Sequence, residues 1–325
     1  MVRVAILDDY PNVARQIADW DGIPGAEIMT FTDHVAEPND LVERLLGFDV
    51  VQMTRERTPF PASVLERLPD LKLLSGNGRR QPHVDMEAAS KLGIMVTGTG
   101  GSGGSTAELV WGLIIGIMRH IPWEDQAIRM GRWQTRLGDS LGGKTLGILG
   151  MGNIGTRMAT IAQLFDMNVI AWGPTLTAER ASASGATFVA WDELFSQADV
   201  LTIHVPLTDL SRGWVTANEF GLMKPTAYLV NTSRGPIVDE RALIDALVEH
   251  RIAGAALDVY DQEPLPPNHP LLTLNNTVLS PHLGYVSRQG LGKFFSDAVD
   301  NIKAWIAGDP TNVLNEDALK FVRKL

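Results

Sequence analysis

The chain has 325 residues, 45% of them apolar and 20% charged, a globular profile long enough for two ordinary domains. Its formal charge of −10 opposes a general nucleic-acid binder, and with no cysteine there can be no disulfide, thiolate metal ligand or cysteine nucleophile. The longest apolar run, residues 109–118, is about half of the roughly 20 residues a membrane helix needs, and the apolar stretch near Met1 is too short for a signal peptide. A cytoplasmic protein with no nucleic-acid or membrane partner is expected.

Short apolar runs alternate with helical patterns along the chain, as in parallel strands joined by crossover helices. Strands are expected at 2–7, 28–31, 50–53, 71–75 and 94–97, with a helix at 61–68 on which Val64, Leu65 and Leu68 share a face. Residues 98–105 then read Gly-Thr-Gly-Gly-Ser-Gly-Gly-Ser, either a flexible linker or a hinge between domains. Ser105 and Glu108 have the spacing of a capping box ahead of the run 109–118. That run is apolar nearly all round, so its helix is expected to be buried, between domains or between subunits. Further strands are expected at 145–149, 169–172, 200–205, 228–232, 256–259 and 277–280. Beyond Gly284 a helix carries Phe294, Phe295, Ala298, Ile302 and Ile306 on one stripe, followed by an extended stretch at 311–314 and a charged tail.

Gly150-Met151-Gly152-Asn153-Ile154-Gly155 follows the strand at 145–149 and opens a helical pattern. The first glycine permits a tight turn, the second lets backbone approach a pyrophosphate, and the third lets helix and strand pack closely. The helix start then offers N–H groups and a positive dipole end to phosphates, so this motif predicts dinucleotide binding. The expected fold class is α/β, with two Rossmann-like or flavodoxin-like domains built on mostly parallel sheets. Residues 103–287 would form a doubly wound dinucleotide-binding domain, inserted into a substrate-binding domain made of 1–102 and 288–325. The carboxylate that would hold the ribose hydroxyls of NAD is missing: Gly173-Pro174-Thr175 follows the strand 169–172, and Asp166 lies at the wrong end. Arg180 stands a few residues on. NAD is the expected cofactor, with NADP admitted.

Three later segments end apolar strands with polar residues: Asn231-Thr232-Ser233-Arg234-Gly235, then Asp258 to Pro264 including Glu263, then Ser280-Pro281-His282-Leu283-Gly284. Ligands of an open α/β sheet lie outside the carboxyl ends of its strands, so these segments and the glycine turn are expected to converge. Singly, Arg234 reads as a surface ion-pair partner, Glu263 as a solvated loop carboxylate and His282 as a satisfied histidine; convergence with the glycine motif favours a functional reading.

These motifs, with residues 141–150 (Leu-Gly-Gly-Lys-Thr-Leu-Gly-Ile-Leu-Gly), His204-Val205-Pro206-Leu207 and residues 231–239, resemble those of the D-isomer-specific 2-hydroxyacid dehydrogenases over nearly the whole chain. The resemblance implies a hydride-transferring oxidoreductase acting on a small 2-keto or 2-hydroxy acid, with Arg234, Glu263 and His282 catalytic. His282 would exchange a proton with the substrate oxygen, since imidazole titrates near neutrality. Glu263 would orient its ring, and the guanidinium fork of Arg234 would hold the substrate carboxylate and carbonyl. Cofactor contacts are implied for Gly150, Gly152, Asn153, Ile154, Gly155, Gly173, Val205, Pro206, Thr232, Ser233, Arg234, Asp258, His282 and Gly284, with Asp258 on the nicotinamide carboxamide. A homodimer is also implied, for which the helix at 109–118 and the segment 123–133 are candidate interfaces.

The chain departs from the family pattern in the loop Gly76-Asn77-Gly78-Arg79-Arg80, where two arginines replace small or apolar residues. With Arg55 and Arg57 they suggest a substrate bearing a second acidic group, and Arg55, Asn77, Gly78, Arg79 and Arg80 are the expected substrate-binding residues. No metal is expected. Two other readings share the fold: a formate or phosphite dehydrogenase, and a dimeric nucleotide-sensing module of the corepressor kind, for which an acid–base set would be superfluous.

Overall fold

The computed structural model describes residues 1–101 and 104–320 and divides them between two compact units, Met1–Gly103 with Val286–Leu325, and Gly104–Tyr285. The first unit holds β1 (Val2–Ile6), β2 (Ala26–Thr30), β3 (Val50–Gln52), β4 (Leu73–Ser75) and β5 (Met95–Thr97). They form one parallel sheet in the order β2-β1-β3-β4-β5, with Val4 beside Val50, Val50 beside Leu73 and Leu73 beside Met95. Every residue of β3, β4 and β5 is buried, which is why these strands read as unbroken runs: helices cover both faces of such a sheet.

The helix expected at 61–68 is confined to Ala62–Leu65, while Leu68 stays in the core beyond its end. The closing helix, Arg288–Ile306, buries Phe294, Phe295, Ala298 and Ile302, and Phe295 meets Trp20 edge-on at 5.9 Å. Burying either phenylalanine contributes about 1.5–3 kcal/mol. The stretch after this helix returns to the sheet, where Leu314 N–H donates to Val96 O at 2.8 Å and Gly98 N–H to Asn312 O at 3.0 Å. Gly98, Thr99 and Gly100 are therefore bonded into the unit, Gly100 N–H donating to Asp297 Oδ2 at 3.0 Å. Of the expected linker, residues 102 and 103 lie outside the described residues.

The second unit holds β6 (Thr145–Leu149), β7 (Asn168–Trp172), β8 (Thr187–Phe188), β9 (Val200–Ile203), β10 (Tyr228–Asn231), β11 (Gly254–Leu257) and β12 (Thr277–Leu279). All seven are parallel, in the order β12-β11-β10-β9-β6-β7-β8. Strand order reverses between β6 and β9, the switch point at which such sheets open a crevice for ligands. Apolar clusters fill both faces, one around Phe195, Phe220 and Leu229, the other around Ile114, Ile148 and Val230.

One expectation fails at the first helix of this unit, Ser105–Met118. Its cap is Gly104 and carries no side-chain bond, so the capping box is absent. Ser105 and Thr106 instead donate their hydroxyls to Gly284 O at 3.0 and 2.9 Å, and Glu108 faces Arg157 at 3.5 Å. The helix is largely buried, as expected, and packs on β10, β11 and β12 of its own unit.

Candidate active site

The crevice of the second unit begins at the turn after β6. Gly150 has φ +102, and a side chain there would lie 2.7 Å from Val205 Cγ1 and 2.8 Å from His204 O. A Cβ on Gly155 would fall 2.2 Å from Gly150 O, so this glycine is required by the close pass of helix Asn153–Leu164 over the turn. Gly152 differs: nothing lies within 4 Å of a Cβ placed on it. Packing therefore explains Gly150 and Gly155, and an open approach to the helix start explains Gly152. Asn153 and Ile154 are the first two residues of that helix. Gly173 adjoins the turn, its Cβ position lying 3.8 Å from Gly150 Cα. Nearby, burial holds His204 down to about 3, so the ring is neutral, and its Nε2 meets Thr202 Oγ1 at 2.9 Å.

The turn after β10 carries Arg234, and Asn231 shapes it. The buried amide of Asn231 accepts from Ser233 N–H at 3.0 Å and donates to Arg234 O at 3.0 Å. Ser233 Oγ donates to Val205 O, tying this turn to the segment after β9 that Pro206 continues. A Cβ on Gly235 would sit 2.1 Å from the Tyr260 carbonyl carbon, so only glycine lets the Arg234 turn press against the loop that carries Glu263. Arg234 Nη1 donates to Ser233 O at 2.6 Å.

Glu263 Oε1 accepts from Tyr260 N–H at 3.0 Å, and Oε2 meets His282 Nδ1 at 2.6 Å, with both side chains mostly buried. His282 holds φ +55, a left-handed conformation that costs a non-glycine residue about 1–2 kcal/mol. Asp258 offsets that cost. Its carboxylate, fully buried after β11, accepts from Ser280 Oγ at 2.6 Å, Leu283 N–H at 2.7 Å and Gly284 N–H at 2.9 Å. Burial pushes its pKa above the usual carboxylate value, against those hydrogen bonds and the nearby His282. Tyr260 braces the same region from below, its hydroxyl donating to Ser280 O at 3.0 Å.

The structure thus brings Glu263 and His282 into contact and sets Arg234 after β10, the strand beside β11, which Glu263 follows. Asn231, Ser280 and Tyr260 stand inside motifs that the sequence singled out, yet only their hydrogen bonds disclose what they hold. Thr232 Oγ1 is buried without a partner beside this crevice, and with the open face of Gly152 it gives a polar cradle that fits a dinucleotide.

Within the first unit, the loop after β4 holds Asn77, buried, and Gly78, φ +89, whose N–H donates to Thr99 Oγ1 at 2.9 Å. Arg79 and Arg80 are exposed. Arg55 lies 3.6 Å from Glu56, while Arg57 stacks on Tyr10 at 4.8 Å and donates to Asp8 O at 3.4 Å. Arg55 and Arg57, expected to add to a positive end, thus each have partners within their own unit.

A phosphate turn at the switch point and an acid–base pair at neighbouring strand ends suit hydride chemistry on a bound dinucleotide, and the protein is an oxidoreductase of that class. The model of the D-isomer specific 2-hydroxyacid dehydrogenase NAD binding domain matches residues 111–284. The chain is 40% identical to a glyoxylate reductase of Aeropyrum pernix over 268 residues, 79% of this chain and 80% of that one. It is 34% identical to a D-3-phosphoglycerate dehydrogenase of Archaeoglobus fulgidus over 85% of its own length, spanning 53% of that longer protein. The crystal structure of a phosphoglycerate oxidoreductase from Vibrio cholerae superposes with a TM-score of 0.91 at 38% identity, covering 95% of this chain and 100% of the other. The chain belongs to the D-isomer-specific 2-hydroxyacid dehydrogenases, which use a nicotinamide dinucleotide.

Proposed function

We propose that the second unit carries the cofactor and the reacting groups of a D-2-hydroxyacid dehydrogenase, and that His282, Glu263 and Arg234 perform the chemistry. The observation that carries this reading is the 2.6 Å contact between His282 Nδ1 and Glu263 Oε2. With Nδ1 engaged, Nε2 is the ring atom that exchanges a proton with the substrate oxygen, and the carboxylate steadies the imidazolium. The bound dinucleotide supplies or accepts the hydride. In reduction the carbonyl carbon gains hydride, its π electrons move to oxygen, and His282 delivers the proton there. Arg234 binds the substrate carboxylate and polarises the carbonyl.

The residues proposed to hold the dinucleotide are Gly150, Gly152, Asn153, Ile154 and Gly155 at the pyrophosphate, with Gly173 at the ribose. Val205, Pro206, Thr232, Ser233, Asp258 and Gly284 serve the nicotinamide end. NAD is the proposed cofactor, and NADP is accepted, because no carboxylate follows Trp172 to repel a 2′-phosphate. Arg180, whose Nη1 donates to Thr175 O at 2.7 Å, stands near that position. Arg55, Asn77, Gly78, Arg79 and Arg80 of the first unit are proposed substrate contacts.

A homodimer of cytoplasmic location completes the proposal. Ile121, Ile128, Met130, Trp133 and Leu137 of the second unit are 53%, 52%, 68%, 75% and 96% exposed, an apolar surface suited to a second copy. Among the described residues no helix is long and apolar enough to cross a membrane. A panel of 2-keto acids assayed with NADH and NADPH side by side tests the activity, and sedimentation tests the dimer. No oxidation of either cofactor with any member would overturn the first, and a monomer at micromolar concentration the second.

A further inference from the structure

The turn that carries Arg234 and the loop that carries Glu263 press together at Gly235, where a Cβ would lie 2.1 Å from the Tyr260 carbonyl carbon. Beside that contact a small cavity of about 10 Å³ remains, lined in part by Asn231, Gly235, Glu240, Tyr260 and Leu271. Apolar packing therefore does not by itself fix the spacing of turn and loop. Glu240 spans the gap. It opens the helix Glu240–Val248, and the short turn Gly235–Ile237 leads from Arg234 into that helix through Val238 and the capping Asp239. Its carboxylate reaches the other segment at two points: Oε1 accepts from His269 Nε2 at 3.0 Å, and Oε2 from Asp261 N–H at 3.4 Å. Asp261 lies between Tyr260, whose N–H holds Glu263 Oε1, and Glu263 itself.

His269 is fixed in turn. Its Nδ1 accepts from Leu271 N–H at 3.3 Å, and a backbone N–H can only donate, so the ring proton sits on Nε2 and points to Glu240. A neutral histidine in this one tautomer answers both partners. The side chains of Glu240 and His269 are only 23% and 13% exposed, which shields their contact from water. Charge alone would not assemble this group. Asp239, Glu240 and Asp261 bring three carboxylates together against Arg212 and His269, and partial burial, then Glu240, raise the pKa of Asp261. Like charges held close oppose folding, and such a cost is kept where geometry serves a site.

We propose that Glu240 is a positioning residue: through Asp261 and His269 it locks the Glu263 loop to the Arg234 turn and sets the two in one register. This rests on the roles given above to Arg234, Glu263 and His282. A loop free to shift draws Glu263 away from His282 Nδ1, now 2.6 Å from it, and the imidazolium loses part of its stabilisation. The same joint bears on Arg234, so binding of the substrate carboxylate weakens together with proton transfer.

Two variants cut the joint from opposite sides with little change of shape. In Glu240→Gln the amide keeps one oxygen, and its NH2 confronts either Asp261 N–H or His269 Nε2–H. In His269→Asn the side-chain oxygen still caps Leu271 N–H, the reach to Glu240 is lost, and the Glu240 charge stays. Reduction of a 2-keto acid that the wild type turns over is followed against pH, with cofactor affinity by fluorescence titration and thermal melting on the same preparations. In both variants kcat is expected to fall by about 10- to 100-fold and KM for the keto acid to rise several-fold, with cofactor affinity within about twofold of wild type. The fall of kcat/KM with rising pH, which reports loss of the His282 proton, is expected to move to lower pH by about half a unit to one unit. A lowered Tm with KM and pH profile unchanged assigns the pair to the fold and overturns the inference. A shifted profile in Glu240→Gln alone assigns the effect to its charge and overturns it too. Should Glu240→Gln fail to fold, His269→Asn decides by the same readouts. Wild-type values in both variants overturn the inference and leave the oxidoreductase reading intact, whereas no turnover of any 2-keto acid by the wild type with either cofactor overturns both.

Discussion

Asp258→Asn perturbs the centre of the site with almost no change of shape. The carboxylate accepts three hydrogen bonds from the segment around His282: Ser280 Oγ at 2.6 Å, Leu283 N–H at 2.7 Å and Gly284 N–H at 2.9 Å. An asparagine amide has one oxygen and one NH2. With the oxygen toward Leu283, the NH2 confronts the Gly284 N–H; in the flipped orientation it confronts the Leu283 N–H. Either way one buried backbone donor loses its acceptor, at about 1–3 kcal/mol. Relief of the buried charge, whose pKa burial raises, offsets part of this. The expected net loss is about 1–2 kcal/mol, a fall in Tm of roughly 2–8 °C for a unit of this size. Activity suffers more, because the orphaned donor adjoins His282, whose left-handed backbone at φ +55 relaxes once the clamp is gone. A displacement on the order of 1 Å costs about a hundredfold in rate. Steady-state kinetics and calorimetry on the same preparation read both effects. A variant within threefold of wild-type kcat/KM at unchanged Tm would refute the clamp.

The glycine turn predicts opposite outcomes for two alanines. Gly155→Ala places a methyl 2.2 Å from Gly150 O and is expected to cost about 1–3 kcal/mol in urea unfolding, whereas Gly152→Ala enters open space and spares stability while weakening cofactor binding by titration. Acid sensitivity follows from His204 and His83, held down to about 3 and about 4 by burial. Unfolded, both take up protons near pH 6.5, so stability present above that pH is lost as pH falls, by up to 1.36 kcal/mol per unit for each group. Between pH 6.5 and 5 that is about 2 kcal/mol per histidine, and His204→Gln, judged from denaturation curves at both pH values, should remove about half of the combined drop. Glu263→Gln replaces a charge-assisted bond with a neutral one, and a loss of about 10- to 100-fold in 2-hydroxy-acid oxidation is expected, with keto-acid reduction recovering toward acid pH. Equal losses at every pH in both directions would count against an acid–base role for the pair.

Much of the sheet framework was legible because buried parallel strands are continuous apolar runs. β6 runs over Thr145–Leu149, and β10 over Tyr228–Asn231, one residue short of the expected end at Thr232. β8 left no trace, since Thr187 and Phe188 are both exposed and two residues carry no period. The capping box at Ser105 failed for a tertiary reason: Gly284 O, far along the chain, takes that hydroxyl. In the site, the residue types of Arg234, Glu263 and His282 were readable, but the reason for Gly235 was not, since it lies in the backbone of Tyr260 pressed against it. Nor could spacing disclose that Asp258 grips the His282 turn, because the three donors come from residues more than twenty positions away.

The account stands on proton exchange at His282 within a dinucleotide-bound site, and His282→Asn tests it most directly. Cofactor affinity is measured by fluorescence titration and 2-keto acid reduction by loss of NADH absorbance. The variant is expected to bind cofactor within a few-fold of wild type while kcat falls by about 10²–10⁴. A variant that keeps wild-type kcat, with cofactor binding intact, would contradict the assignment of His282 as the acid–base group.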